Sequence, residues 1–200
     1  MIAALTGTGL AAAAGLNAYI PFLLVALLSR FTDVIDLPAQ YAWIESNWAI
    51  GIAAVLLASE IVLDKIPIVD HLNDVVATLI RPTVGALIFA ATTAAAELDE
   101  APWMKENPWV GIVLGAVVAG TVHTAKAVVR PAVNVSTLGT GTPFVSAAED
   151  GASFTMSLIA IFTPVLVLVA LVLLGWGMII IGRRARRRRK ARTGSPAAPG

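Results

Sequence analysis

Three successive apolar stretches in this chain are too short to cross a bilayer unless each takes charges with it. Ser46–Ser59 holds 14 uncharged residues before Glu60, Pro82–Ala96 holds 15 after Arg81, and Asn107–Val122 holds 16 before His123. At about 1.5 Å per helical residue these lengths cover roughly 21–24 Å of a hydrocarbon core about 30 Å thick. A crossing that begins at Trp48 therefore carries Glu60, and Asp64 after it, to membrane depth, before Pro67 ends the helix. One that ends near Ala96 reaches back past Arg81 toward Asp74, and one that begins at Asn107 takes in His123 and Lys126.

That the surroundings are lipid follows from composition. The chain is 58% hydrophobic with a mean hydropathy of +0.82, above the roughly 45–50% of soluble domains. Two charge-free tracts, Met1–Ser29 and Gly151–Gly182, each exceed the about 20 residues a span needs. Met1–Ser29 has no basic leader and too long an apolar run for a cleavable signal peptide. With no cysteine, disulfides, thiolate catalysis and Cys-ligated zinc are excluded. The net charge of +1 hides a division: eight of the fourteen Lys+Arg lie in Arg183–Arg192, leaving six against thirteen acids elsewhere. Such a tail suits a cytoplasmic face and anionic lipid rather than nucleic acid.

Layout follows from breaks and parity. Gly7, Gly9, Gly15, Asn17 and Pro21 are dense for one helix, so GLNAYIP reads either as the break of a discontinuous helix or as a Pro-kinked span. Gly111 and Gly115 form a GxxxG packing motif. Asn47, Gly51 and Ile52 recur as Asn107, Gly111 and Ile112, and Arg81-Pro82 recurs as Arg130-Pro131, a weak internal repeat. With Met1 inside, the acidic loops at Phe31–Asn47 and Glu97–Pro108 fall outside. Ala132–Asp150 must then cross as a broken helix, or re-enter, for the basic tail to end inside. The expectation is an all-α polytopic bundle over residues 1–182: five clear spans, a broken or re-entrant sixth segment, and a cytoplasmic tail over 183–200, disordered at its end. Gly151–Gly182, kinked at Pro164, is the plainest span. The membrane is the bacterial inner one, and a homo-oligomer is allowed.

Helical geometry gathers the charges. Glu60 and Asp64 share a face at i, i+4. Asp70, Asp74 and Arg81 fall within about 40° on one helix, and His123, Lys126, Arg130 and Asn134 within about 80°. An unpaired charge at the bilayer centre costs about 3 kcal/mol on insertion scales. So many charges persist only if they pair or line water. One reading is a polar cavity whose carboxylates exchange protons or cations while Lys126 and Arg130 hold an anionic solute. The other is a structural ion-pair network with snorkelling ends. Lys65, Glu149 and Asp150 are further candidates, and Asn17 and Asn134 supply polar contacts at helix breaks. His71 and His123 make a poor metal set, TGTG at Thr6–Gly9 lacks the GK[ST] of a P-loop, and no Ser-His-Asp pattern is present.

GLNAYIPFL, the E-x-x-x-D-K-I-P-x-V-D string at Glu60–Asp70, R-P-x-x-G-A at Arg81–Ala86, H-x-x-K-A-x-x-R at His123–Arg130, Asn134 and S-x-x-E-D at Ser146–Asp150 occur in that order. In this the chain resembles a bacterial membrane family catalogued as domain of unknown function 4126. The resemblance covers most of Met1–Gly182 and implies an integral membrane protein with these positions as signature residues. It supplies no substrate or reaction, and the chain departs from the pattern at VSTLGTGTP.

The leading expectation is a small transporter or ion- or proton-coupled permease, without cofactor, metal or enzymatic activity. Glu60, Asp64, Asp70 and Asp74 carry protons or cations, Arg81, Lys126 and Arg130 neutralise them or bind an anion, and His123 relays protons. The alternative is a non-transporting scaffold or assembly factor that binds partner helices or anionic lipid. An enzyme acting on lipid headgroups ranks third.

Overall fold

Where the helices break decides how this chain folds. The computed structural model describes residues 2–64, 67–95, 106–138 and 140–193; at 67–74, 132, 134, 136, 178, 181–182 and 185–193 the backbone alone is described. Regular structure among them is helical: α1 (Ile2–Leu16), α2 (Tyr19–Phe31), a 3-10 turn (Ala39–Glu45), α3 (Asn47–Leu63), α4 (Pro67–Ala95), α5 (Pro108–Thr137), α6 (Thr142–Phe162), a second 3-10 turn (Pro164–Leu166) and α7 (Val167–Thr193). Two stretches, Val75–Ala95 of α4 and Pro108–Pro131 of α5, are long and apolar enough to cross a membrane. A third joins them if the 3-10 turn at Ala39–Glu45 and α3, bent by 52°, count as one span.

The centre is an antiparallel pair, α4 and α5, packed backbone to backbone. A Cβ built on Gly115 would lie 2.4 Å from the Gly85 carbonyl oxygen, and one on Gly85 would lie 2.4 Å from the Ala119 Cβ. Gly111 faces Phe89 and Thr93, so the expected GxxxG does serve close packing. Onto this pair lies α1. Gly7 meets Phe89, Ala11 approaches Gly85 and Gly15 meets Ala119 and Val122, which makes α1 antiparallel to α4 and parallel to α5. Gly9–Leu16 is buried throughout and is glycine and alanine at all but Leu10 and Leu16, which permits the approach.

At fifteen residues α1 is only about 22 Å long. It stops at Asn17–Ala18, and α2 turns back. The far end of α2 is fixed beside the start of α3: the Ser29 hydroxyl donates to the Glu45 carboxylate, and Arg30 Nη1 donates to the Glu45 carbonyl at 2.9 Å. α3 opens with Ser46 as its cap, the hydroxyl accepting from the Ala49 amide at 3.3 Å. The first tract is therefore a helical hairpin that dips in and returns, with both ends at the end of the bundle carrying Trp43, Trp48 and Trp109. This corrects the expected placement of the N-terminus opposite the Phe31–Asn47 loop. A long uncharged tract has the length for a crossing, and only its tertiary partners reverse it.

The last tract reverses as well. α6 runs antiparallel to α1, with Ser153 Oγ donating to the Ala13 carbonyl at 3.0 Å and Ala160 against Gly9. The helix ends at Thr163. Val167 then packs on the same Gly9, and Leu171 and Leu174 descend beside Leu16, Val122 and Met156. Gly151–Gly182 is thus a hairpin broken at Pro164, not a single kinked span. α7 carries its basic residues to the end opposite Trp43, Trp48 and Trp109.

Two further expectations change. Ala132–Asp150 is not one broken helix of its own: residues 132–137 finish α5, a turn with Leu138 at φ 53° follows, and α6 begins at Thr142. The sequence echo is not an echo of direction either. Asn47 and Asn107 both stand at the tryptophan end, but Arg81-Pro82 lies on a helix rising from the basic end and Arg130-Pro131 on one descending to it.

Candidate functional site

Five elements bring polar groups to one depth, where the α1–α2 break meets the charged turns of α3, α4, α5 and α6. α3 contributes Glu60 and Asp64, one turn apart on its buried face. α4 contributes Arg81, with Thr78 three residues earlier. α5 contributes His123, Lys126 and Arg130 at spacings of three and four, again one face. Glu60, Asp64, Arg81, His123, Lys126 and Arg130 are each at most 5% exposed. α6 adds Glu149 and Asp150, which are half-buried.

The charges divide into two linked groups. In the first, Arg81 Nη2 donates to Glu60 Oε1 at 2.7 Å, and Arg81 Nη1 stands 2.9 Å from His123 Nδ1. A guanidinium only donates, so Nδ1 must accept. That fixes His123 as the neutral tautomer with its proton on Nε2, 3.1 Å from the Thr78 hydroxyl, which accepts it. Glu60 Oε2 is buried with no hydrogen-bond partner. In the second group, Arg130 Nη2 donates to Asp64 Oδ2 at 3.0 Å and to Glu149 Oε2 at 2.7 Å, and its Nε donates to Glu149 Oε2 at 3.1 Å. Lys126 Nζ lies 3.2 Å from Glu149 Oε2 and 3.9 Å from Asp64 Oδ2.

The helix break closes the site from above. Lys126 Nζ donates to the Leu16 carbonyl at 3.0 Å, one of the acceptors left over where α1 ends. Asn17 Oδ1 accepts from the Tyr19 and Ile20 amides at 3.0 and 3.3 Å, capping α2, and its Nδ2 donates to Asp150 Oδ1 at 2.9 Å. One amide thus joins the start of a half-helix to an acid of α6. Counting His123 as neutral, the described side chains of the site hold four acids (Glu60, Asp64, Glu149, Asp150) against three bases (Arg81, Lys126, Arg130), one positive charge short.

Of the residues expected from sequence, Glu60, Asp64, Arg81, His123, Lys126, Arg130, Glu149, Asp150 and Asn17 come together here. The side chains of Asp70, Asp74 and Asn134, and the whole of Lys65, lie outside what is described. Sequence reasoning missed Thr78, whose signal was its i−3 spacing from Arg81. It also missed the polar face of α6, where Thr142, Ser146, Ser153 and Ser157 are buried at helical spacing about Glu149. The Ser146 hydroxyl is buried with no partner. Among the described residues no group of three or more His, Cys, Asp and Glu side chains is placed to hold a metal ion.

Residues 4–184 match the family described as Domain of unknown function (DUF4126). No curated protein and no solved structure matches the chain.

Proposed function

The chain belongs to this family of domains of unknown function, and we propose, from its buried charges, that it is a small ion- or proton-coupled membrane transporter. The observation that carries the reading is a charge cluster nearly sealed from solvent at the point where a helix breaks. Half-helix ends at mid-depth leave backbone carbonyls and amides free to meet charged solutes, and here one such carbonyl already holds the Lys126 ammonium. In this reading α3, α4 and α5 cross the plasma membrane, and the α1–α2 and α6–α7 hairpins enter it from opposite ends. The tryptophan end faces outward and the basic tail meets anionic lipid on the cytoplasmic side. Glu60, with one oxygen unpaired, is the group that takes up the coupling ion or proton, and no bond-making chemistry is assigned.

The test is flux of candidate ions and metabolites in proteoliposomes across a pH gradient. Glu60→Gln and Lys126→Ala are expected to reduce wild-type flux by about tenfold or more, the order of effect of losing a buried charge contact. Normal flux in both variants would sink the reading. One observation favours a second: Lys126 and Arg130 both have carboxylate partners, as in a structural network. A scaffold or assembly factor would lose stability or partner recovery in these variants and move no solute in any form.

A further inference from the structure

The imidazole of His123 is held from both sides by groups that do not take a proton from it. The residue is 3% exposed, and among the described residues it has two hydrogen-bond partners, neither of them an acid. Nδ1 accepts from Arg81 Nη1 at 2.9 Å, and the Nε2 proton goes to the Thr78 hydroxyl at 3.1 Å. A guanidinium keeps its protons at any pH a protein survives, so Nδ1 neither receives a proton from Arg81 nor passes one on through it. The carboxylates of the layer are engaged elsewhere: Glu60 with Arg81, Asp64 and Glu149 with Arg130, and Asp150 with Asn17. Lys126, the cation one turn along α5, donates to the Leu16 carbonyl and lies against Glu149. What the contacts of the ring do serve is Arg81. Thr78 and Arg81 stand three residues apart on one face of α4 and hold the ring between them. Arg81 in turn joins a charged acceptor on α3 to a neutral one on α5.

We propose that His123 is a positioning residue, which stays neutral and fixes the Arg81 guanidinium against Glu60. Three features point that way. Arg81 is fully buried, where bulk water cannot replace a lost acceptor and an unmade N–H bond is costly. A neutral acceptor fixes the direction of the guanidinium without sharing its charge, so the attraction of Arg81 is left for Glu60. The ring is itself fixed, because the Thr78 hydroxyl takes the hydrogen bond that decides the tautomer. The place of this role in a cycle rests on the transport reading. There the Glu60 carboxylate loosens its grip on Arg81 each time it takes up an ion or proton. The imidazole does not, so Arg81 stays in place and Glu60 returns to it. A proton relay through His123, the role that its type and depth suggest from sequence, has no exit on the Arg81 side.

Two substitutions separate the anchor from the relay. Asparagine puts an amide oxygen where Nδ1 stands and carries no proton, whereas leucine fills the space with no acceptor. His123→Leu is expected to lower proteoliposome flux about tenfold, the order of effect of one buried hydrogen bond to a charged group. His123→Asn should recover several-fold of that loss and keep the wild-type pH profile. Unfolding temperatures should follow the same order. The Glu60–Arg81 coupling, measured by a double-mutant cycle, should persist in His123→Asn and fall in His123→Leu. The tautomer is read on the wild-type chain in nanodiscs by nitrogen NMR of its two isotope-labelled histidines, with His71→Gln assigning the signals, so the test survives variants that do not fold. A proton on Nε2 and a bare Nδ1 are expected at neutral pH, and a proton on Nδ1 overturns the inference. So does a His123→Asn variant as impaired as His123→Leu, or one whose pH profile departs from that of the wild type, and either result leaves the transport reading intact. If no form moves any solute, that reading falls, and the tautomer, the unfolding temperatures and the coupling decide the anchor by themselves.

Discussion

Arg81 is the most informative single residue. It stands between a carboxylate and a neutral imidazole, both buried, and donates to each. Breaking a buried ion pair from one side leaves the other charge uncompensated, at a cost of about 3–5 kcal/mol, whereas replacing both partners with apolar or neutral groups of like size is often near neutral. Arg81→Met is therefore expected to lower the thermal unfolding temperature sharply in detergent, with Glu60→Gln lowering it less. The double variant should be more stable than Arg81→Met alone. Simple additivity of the two single effects would show that the pair is not coupled. These residues were legible in the sequence because they interrupt apolar stretches that are short without them. Their partners were not. Glu149 was named only as a further candidate, and nothing in one sequence says that Asn17 faces Asp150 across 133 residues.

At the scale of elements, stability rests on how closely α1, α4 and α5 approach. Gly115→Ala would drive a methyl group into the Gly85 carbonyl oxygen at 2.4 Å. Backbone cannot step aside as a side chain can, so a loss of about 1–3 kcal/mol is expected, read as a lower unfolding temperature. Gly51→Ala is the control: a Cβ there meets nothing within 4 Å, and in a helix interior alanine is favoured over glycine by about 0.5–1 kcal/mol. A Gly115→Ala variant as stable as Gly51→Ala would refute the packing described. The break at GLNAYIP was readable from its glycines, Asn17 and Pro21, as was the close packing of Gly111 and Gly115. The direction taken after the break was not, because it depends on Ser29 and Arg30 finding Glu45, a contact that composition does not encode. The same holds for Pro164, where a kink and a reversal look alike in sequence.

For the whole molecule, the arrangement of the two hairpins fixes which ends face the same way. The chain has no cysteine, so a single introduced thiol reports its position alone. Cysteines at Ile2, Val34 and Trp109 should react with a membrane-impermeant maleimide from one side of sealed vesicles, and a cysteine at Leu138 from the other. Reaction of the Ile2 and Val34 thiols from opposite sides would return the first tract to a simple crossing and dismantle the hairpin. The Asn17–Asp150 contact carries a further consequence, for biosynthesis. The ribosome delivers roughly 5–20 residues per second, so the first hairpin leaves the exit tunnel on the order of ten seconds before the helix whose acid it binds. Lys126 and Arg130, made only about twenty residues before Glu149, wait for it on the order of one to a few seconds. A nascent chain stalled short of α6 leaves Asn17 without Asp150 and both Lys126 and Arg130 without Glu149, so the buried layer is completed only when the last hairpin is made.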